Sequence, residues 1–370
     1  MPHAVYQAER IFDGSQWHED AALVIEDGFV VAIGPGGAGI RLRGWIVPGL
    51  IDLQVNGGGG VLLNNAPTPE GIARICAAHA GFGTTAIMAT LISDRPGVTE
   101  QAIGAAVAAA GQPGLLGLHL EGPHLDPARK GTHDPALIRP MTGDDLALLM
   151  QAAGVLTHLI CTVAPEAVSP EQVAALTGAG AVVSLGHSDC SSDVAREYTD
   201  AGVRMVTHLF NAMSQMQHRA PGLAGAALAD DRLWAGLIAD GFHVDDTVLR
   251  VALRAKPGVF LVSDAMATLG SDLTGFTLNG RGIFRRDGRL TLGDGTLAGA
   301  DIALIDAVRH VHLRLGLPLE QALRLASAHP AAALGLTDRG HLRAGARADF
   351  FCLTPQITAA GCWIGGECVA

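Results

Sequence analysis

The chain has 370 residues, of which 49% are hydrophobic and 16% are charged, and its formal net charge is −11. This hydrophobic fraction supports a large folded core and argues against a disordered chain. The acidic balance argues against nucleic acids and anionic membranes as partners, because both would be repelled.

Both ends of the chain have the pattern of antiparallel strands. Near the N-terminus, Asp27-Gly28 joins two apolar runs in "AALVIEDGFVVAIG", which is the signal of a short hairpin turn. The C-terminal stretch "RADFFCLTPQITAAGCWIGGECVA" also has a strand pattern. We therefore expect residues 1–45 and 341–370 to pair into one small β domain, a β-sandwich.

Between these ends, eight apolar runs of strand length alternate with helical segments. The predicted strands are 46–54, 84–91, 115–121, 158–166, 181–188, 204–210, 234–240 and 259–265. Helix signals separate them, such as the capping box formed by Ser169 and Gln172. Eight buried strands alternating with helices predict an α/β fold, a (β/α)8 TIM barrel over residues 46–340. An open, doubly wound sheet is the alternative.

A short antiparallel insertion interrupts this pattern near residues 276–297. The dipeptides Asn279-Gly280 and Asp287-Gly288 each favour a two-residue hairpin turn. We therefore expect a β-hairpin insertion between the eighth strand and the helices that close the barrel.

Ionisable residues lie at the ends of several predicted barrel strands. His119 and Glu121 end the third strand, and the fifth, sixth and eighth end near His187, His208 and Asp264. The C-terminal strand ends form the active face of such a barrel, so Glu121, His187 and His208 should converge. Two imidazoles and a carboxylate suit a catalytic zinc ion. The alternative is a set of hydrogen-bonded core residues, although burying them unpaired would cost several kcal/mol each.

The first predicted strand ends in amides where many metal-dependent hydrolases carry two histidines. In "PGLIDLQVNGGGG", Gln54 and Asn56 are two residues apart and point the same way. Amides are poor metal ligands. This strand end has therefore either lost a metal site or works without one.

Two loops over the predicted active face carry candidate binding residues. The loop "EGPHLDPARKGTHDP", residues 121–135, holds Lys130, His133 and Asp134, and it suits substrate binding better than passive connection. In the segment that follows the sixth strand, Arg219 precedes the turn at Pro221-Gly222. An arginine there suits bidentate recognition of an anion.

The motifs at these positions resemble the amidohydrolase superfamily and, within it, the family of N-acetylglucosamine-6-phosphate deacetylases. The matching stretches are "PGLIDLQVNG", "GLHLEGPHLDPARKGTHDP", "SLGHSDC", "VTHLFNAM", "APGLAGAAL", "LVSDAMA" and "ASAHPAAALGL". The resemblance implies a metal-dependent hydrolase-type barrel with a small β domain. It also implies hydrolysis of N-acetyl-D-glucosamine 6-phosphate to D-glucosamine 6-phosphate and acetate.

The resemblance also implies roles for individual residues. Glu121, His187 and His208 match the metal ligands of the family, and Asp264 matches its catalytic acid/base. His133 matches the histidine that contacts the substrate carbonyl. Asn211 and Ala212 match positions that contact the sugar. Arg219 and His243 match positions that bind the phosphate.

Gln54 and Asn56 resemble the family members that work with one metal ion. We therefore expect one divalent ion per chain, zinc in the first place, with Fe2+ or another divalent ion as the alternative. The resemblance further implies a homodimer with a shared phosphate site. Deacetylation of the galactosamine epimer, another amidohydrolase activity and a metal-free scaffold are the alternative functions.

The cysteines and the N-terminal residues help to predict the cellular compartment of the protein. The six cysteines form no CxxC pair, which favours reduced thiols. The first ten residues lack the pattern of a signal peptide, and no apolar run reaches the length of a membrane span. We therefore expect a cytoplasmic protein.

Overall fold

The structure is a computed structural model, and it describes residues 4–37 and 39–370. The strands are, in chain order, β1 Ala4–Phe12, β2 Trp17–Glu26, β3 Phe29–Pro35, β4 Ile40–Arg41, β5 Trp45–Pro48, β6 Leu50–Val55, β7 Gly57–Gly58, β8 Val61–Leu62, β9 Thr84–Ile92, β10 Leu115–Glu121, β11 Leu159–Val163, β12 Val182–Leu185, β13 Met205–Val206, β14 Trp234–Ile238, β15 Val259–Val262, β16 Gly275–Leu278, β17 Arg281–Arg286, β18 Arg289–Thr291, β19 Phe350–Leu353, β20 Ala359–Ile364 and β21 Glu367–Cys368. The α-helices are α1 Pro69–Ala80, α2 Pro96–Ala108, α3 Gly143–Val155, α4 Pro170–Gly178, α5 Ser192–Ala201, α6 Gly222–Ala229, α7 Asp246–Ala255, α8 Leu304–Leu313, α9 Leu319–Leu325 and α10 Ala328–Ala333.

Eight parallel strands form the central sheet, and their spatial order follows the chain order from β6 and β9 to β15. The two edge strands meet, since Val55, the last residue of β6, forms a parallel bridge with Ala265, which lies after β15. The predicted (β/α)8 barrel is therefore confirmed. A doubly wound sheet would reverse the strand order at a switch point, which does not occur here.

The inside and the outside of the barrel are both largely apolar, which explains why its strands do not alternate between apolar and polar residues. Every residue of β9 is buried. Ile51, Leu53, Met88 and Ile160 belong to one buried cluster, whereas alternate residues pack against the surrounding helices. Strands covered on both faces are expected to be almost continuously hydrophobic.

The first predicted strand, 46–54, proved to be two strands in two different sheets. β5 pairs with β19 of the terminal sheet, and β6 pairs with β9 of the barrel. Gly49 lies between them, where a Cβ atom would fall 2.0 Å from Thr85 Oγ1. The chain passes from one sheet to the other at a point that only glycine can occupy.

The N-terminal and C-terminal segments share one sheet of eight strands, in the order β21, β20, β19, β5, β1, β2 and β3, with β4 beside β1. The Asp27-Gly28 turn between β2 and β3 has positive φ at both residues, as the hairpin signal predicted. The interior of this unit includes Ile11, Leu23 and Phe350. The chain therefore has the expected sheet-rich terminal unit, whereas the exact domain boundaries stay a prediction.

An antiparallel sheet of β16, β17 and β18 follows the last barrel strand. Asn279-Gly280 and Asp287-Gly288 form its two turns, and all four residues have positive φ. Among the described residues, no helix is long and apolar enough to cross a membrane.

Candidate active site

The barrel closes at the point where the candidate catalytic residues lie. The Asp264 N–H donates to Gln54 O at 3.0 Å, and the Asn56 N–H donates to Ala265 O at 2.9 Å. Asp52 adds a carboxylate that accepts the Ser263 N–H. These contacts hold the end of β6 against the segment after β15, so residues about 210 positions apart share one site.

The structure brings Glu121, His187 and His208 together, as the sequence predicted. The His208 Nε2–Glu121 Oε1 distance is 2.9 Å, His187 Nε2–Glu121 Oε1 is 3.2 Å, and the two Nε2 atoms are 3.0 Å apart. All three side chains are nearly fully buried. Ligands at 2.0–2.1 Å around a tetrahedral zinc ion lie about 3.3 Å apart, so the spacing suits a metal ion.

The hydrogen bond made by the far side of the His187 ring defines its tautomer. Nδ1 lies 2.8 Å from Arg129 O, and a carbonyl oxygen can only accept, so Nδ1 carries the proton. Nε2, which faces Glu121 and His208, is therefore the ring nitrogen that would bind a metal ion. A backbone carbonyl behind a metal-binding histidine is a common arrangement. His208 Nδ1 is buried without a partner among the described residues.

The protonation equilibria of this cluster reflect a carboxylate facing two imidazoles. Burial opposes ionisation of Glu121, but the hydrogen bonds from His187 and His208 outweigh burial and hold its pKa well below the usual value. Burial also disfavours the charged form of His208, but Glu121 outweighs it and raises the His208 pKa. The cluster therefore favours positive charge at its centre, whether a proton or a metal ion.

A second combination, Glu121, His133 and His187, also places potential ligand atoms within 4.8 Å of one another. His133, however, is engaged through Nδ1, which lies 2.8 Å from Ser93 Oγ and 3.4 Å from the Ser93 backbone N. A backbone N–H can only donate, so Nδ1 accepts and Nε2 carries the proton. In that tautomer His133 is a hydrogen-bond donor, whereas His208 meets the other two groups at shorter distances.

The amides of Gln54 and Asn56 donate to the two carboxylates of the site. Gln54 Nε2 lies 3.2 Å from both oxygens of Glu121 and 3.2 Å from Asp264 Oδ1. Asn56 Nδ2 lies 2.7 Å from the same Oδ1. The amides thus provide hydrogen bonds where a second cation would otherwise offset the carboxylate charge.

Asp264 is a buried carboxyl group with one oxygen fully engaged. Burial and the nearby Glu121 raise its pKa to about 6. Oδ1 accepts from both amides, whereas none of the described residues donates a hydrogen bond to Oδ2. Oδ2 is therefore the oxygen available for proton transfer.

Backbone strain is concentrated at this site, and the sequence offered no signal for it. Positive φ values occur at His187 (49°), His208 (30°), Phe210 (76°), Ala212 (47°) and Asp264 (51°). Such conformations are unfavourable for residues with a Cβ atom and cluster at functional sites. The strands also end earlier than predicted, since β12 ends at Leu185 and β13 at Val206. His187 and His208 therefore lie on turns after the strands, which aim them into the pocket.

A pocket of about 230 Å3 covers this cluster. The predicted site residues that line it are Glu121, His133, His187, His208, Asn211, Ala212, His243 and Asp264. His243 Nδ1 lies 2.6 Å from Asp240 Oδ2, which orients its ring. Arg219 is exposed and is not among the lining residues, so within one chain the structure does not bring it into the pocket.

The sequence also did not predict that the hairpin insertion contributes to the pocket. Thr296, Leu297 and Gly299, which follow β18, line its wall. Arg281 of β17 donates to Thr132 O at 2.6 Å and so joins the insertion to the loop that carries His133. The position of the insertion in the chain could have indicated this role, because an insertion that follows the last barrel strand begins at the active face.

The sequence places His119 at the end of the third predicted strand, with the pocket residues. In the structure it lies beneath them, inside the barrel. Its Nδ1 is 3.1 Å from Leu53 O and its Nε2 is 2.7 Å from Thr162 Oγ1. Burial lowers the pKa of His119 to about 4. For this residue, the alternative of a hydrogen-bonded core histidine is the correct one.

Comparisons with known proteins agree with this geometry. The profile of the amidohydrolase family matches residues 45–369. The chain is 39% identical to the N-acetylgalactosamine-6-phosphate deacetylase of Shewanella sp. (strain ANA-3), with 88% of this chain and 83% of the relative covered. It is 38% identical to the N-acetylglucosamine-6-phosphate deacetylase of Homo sapiens, with the same coverage.

Solved structures of deacetylases also resemble this chain over nearly its whole length. The N-acetylglucosamine-6-phosphate deacetylase from Pasteurella multocida superposes with a TM-score of 0.94 at 30% identity, over 98% of this chain and 99% of the other. A mutant of the Mycobacterium smegmatis enzyme in complex with N-acetyl-D-glucosamine 6-phosphate gives a TM-score of 0.93 at 31% identity, over 100% of both chains.

Proposed function

Because the chain belongs to the amidohydrolase family, we propose that it hydrolyses N-acetyl-D-glucosamine 6-phosphate to D-glucosamine 6-phosphate and acetate. The observation that carries this function is the pocket, in which Asp264 lies beside the cluster of Glu121, His187 and His208. The names of the relatives support the same reaction. The Shewanella relative is named for the galactosamine epimer, so that epimer is the second candidate substrate.

The proposed cofactor is one divalent ion per chain, held by Glu121, His187 and His208. Imidazole and carboxylate ligands suit Zn2+, with Fe2+ as the alternative. Such an ion would polarise the acetyl carbonyl and acidify a water molecule. Gln54 and Asn56 support a single ion, because their amide groups already donate to the carboxylates that a second cation would contact.

Asp264 is proposed to move the proton in both halves of the reaction. With Oδ1 held by Asn56, the free Oδ2 accepts a proton from the attacking water. The raised pKa of Asp264, about 6, makes it a better proton acceptor than an ordinary aspartate. The same oxygen then returns the proton to the amine, because an amine leaves only when protonated.

His133 is proposed to bind the carbonyl oxygen of the acetamide. Burial and the neighbouring His187 hold the pKa of His133 well below its usual value, so the ring is neutral. Its Nδ1 accepts from Ser93, which leaves the Nε2–H to donate to the substrate. A donor held in place before the reaction stabilises the oxyanion without a cost of reorganisation.

The function is tested by measuring acetate release from four sugars, namely the glucosamine and galactosamine epimers, each with and without the 6-phosphate. We expect phosphorylated N-acetylglucosamine to exceed the unphosphorylated sugar in kcat/KM by at least about a hundredfold, or ~2.7 kcal/mol. A higher value for the phosphorylated galactosamine epimer would favour the second candidate. No acetate release from any of the four would overturn the deacetylase assignment.

Asn211, Ala212 and His243 are proposed to bind the sugar phosphate, together with Arg219. Since Arg219 is exposed in one chain, we propose that it acts across a homodimer, in the pocket of the partner subunit. The substrate is a small molecule, and neither nucleic acid nor membrane is a proposed partner. The cytoplasm is the proposed compartment.

Arg219→Ala is expected to raise KM for the phosphorylated sugar at least about tenfold, because a charge-assisted contact with the phosphate is lost. Activity on unphosphorylated N-acetylglucosamine should change less than about twofold. The control is Arg196→Ala, since Arg196 is exposed and pairs with Asp193 on α5. Equal loss on both sugars, or an unchanged KM for the phosphorylated one, would remove Arg219 from the phosphate site.

A further inference from the structure

A cavity of about 470 Å3 lies at the other end of the barrel from the active site. Its walls come from α7, from the loop between α7 and β15, from the connection between α8 and α9, and from α9 and α10. It reaches Val259, the first residue of β15, whereas Asp264 lies two residues beyond Val262, the last residue of that strand. The cavity and the active-site pocket share no lining residue.

The cavity gathers positive charge in a protein whose net charge is −11. Arg250, Arg254 and Arg324 line it, and none of its lining residues is Asp or Glu. Among the described residues, none of the three arginines forms an ion pair with a carboxylate. Arg250 is oriented by its hydrogen bond to Arg314 O at 2.7 Å. Three guanidinium groups are therefore available to a ligand.

The remaining walls restrict the chemistry of that ligand. The Lys256 ammonium donates to Asp230 O at 2.8 Å, so one of its N–H groups is already engaged by the backbone. His329 donates through Nδ1 to Val259 O at 2.7 Å, and burial lowers its pKa, so the ring is neutral. Apolar surface comes from the leucines Leu253, Leu315, Leu317 and Leu325.

We propose that this cavity is a binding site for a small organic anion, one with a phosphate or carboxylate group and a compact apolar body. Arginine is suited to both anions, because its planar guanidinium donates two parallel hydrogen bonds. The leucines would cover the apolar body, and the absence of carboxylates from the lining favours an anion over a cation. A volume of about 470 Å3 is within the range of small-molecule pockets.

The site is tested by calorimetric titration with phenyl phosphate, benzoate and the neutral benzyl alcohol as probes. We expect at least one of the two anions to bind and benzyl alcohol not to bind detectably. The double variant Arg254→Gln, Arg324→Gln should weaken anion binding at least about tenfold, or ~1.4 kcal/mol. The relative affinities of phenyl phosphate and benzoate then identify the preferred anionic group.

Three controls separate this site from the active-site pocket and from unspecific attraction. The exposed Arg196→Gln variant removes one positive charge elsewhere and should bind the probe as the wild type does. Arg219→Ala should also leave the cavity site intact, because Arg219 does not line it. The single variant Arg254→Gln, on the exposed side of α7, guards against misfolding of the double variant.

Two results would overturn the proposal. One is no binding of either anion at concentrations up to about 10 mM, and the other is equal affinity in the wild type and the cavity variants. Loss of binding only in Arg219→Ala would place the anion in the active-site pocket and would also overturn it. Acetate release is not used as the readout, so failure of this proposal leaves the proposed function untouched.

Discussion

Replacing Asp264 by asparagine should lower kcat by about 10²–10⁴-fold, the range that proton transfer by a positioned side chain contributes. The amide keeps the shape of the carboxylate and can still accept from Asn56 through its oxygen. It cannot take a proton from water or return one to the amine. The measurement is the rate of acetate release at saturating substrate, together with the metal content of the variant.

Asp52→Asn is the matched control for this prediction. Asp52 is buried in the same barrel and accepts the N–H of Ser263, next to Asp264, but it does not line the pocket. Burial raises the pKa of Asp52 to about 7, so its carboxyl group is already partly protonated near neutral pH. The amide of asparagine resembles that uncharged form. We expect a loss below about tenfold for Asp52→Asn. Retention of more than about a tenth of the wild-type kcat by Asp264→Asn would exclude Asp264 as the acid/base.

Glu121→Gln should reduce the bound metal from about one ion per chain to a small fraction of that value. The substitution removes the carboxylate charge that faces His187 and His208. It also turns one acceptor oxygen into a donor, which would oppose the amide of Gln54. Elemental analysis after dialysis measures the metal content, and kcat should fall at least about a hundredfold, or ~2.7 kcal/mol.

Glu166→Gln is the control for Glu121→Gln. Glu166 accepts from Ser188 Oγ at 2.9 Å and from the Asp189 N–H at 3.0 Å, close to His187 but outside the pocket. Its substitution should leave the metal content near that of the wild type. Full metal retention by Glu121→Gln would contradict the proposed ligand set, and two tightly bound ions in the wild type would contradict the proposed stoichiometry.

The two substitutions also separate binding from chemistry. Asp264→Asn should keep the metal and lose turnover, whereas Glu121→Gln should lose both. An outcome in which Asp264→Asn also loses the metal would make Asp264 a ligand rather than a proton carrier.

Periodicity and glycine placement allowed the barrel to be predicted from the sequence. Eight apolar runs separated by helix caps have few alternatives to a closed parallel sheet, because strands covered on both faces must be apolar throughout. The dipeptides Asp27-Gly28, Asn279-Gly280 and Asp287-Gly288 likewise favour their turns through local conformational preference. The division of residues 46–54 between two sheets was not predictable, because the contact of Gly49 with Thr85 is made across 36 residues.

The sequence by itself determined which residue types follow the barrel strands, and hence that Glu121, His187 and His208 would meet at one face. Only the tertiary structure decided their chemistry. The donation of His187 to Arg129 O, the engagement of Asp264 Oδ1 by two amides and the position of His119 beneath the pocket depend on contacts between distant segments. The exposure of Arg219 has the same origin. A local sequence pattern specifies the backbone conformation and the approximate face of the barrel on which a residue lies. The hydrogen-bond partner of its side chain depends on what the fold places beside it.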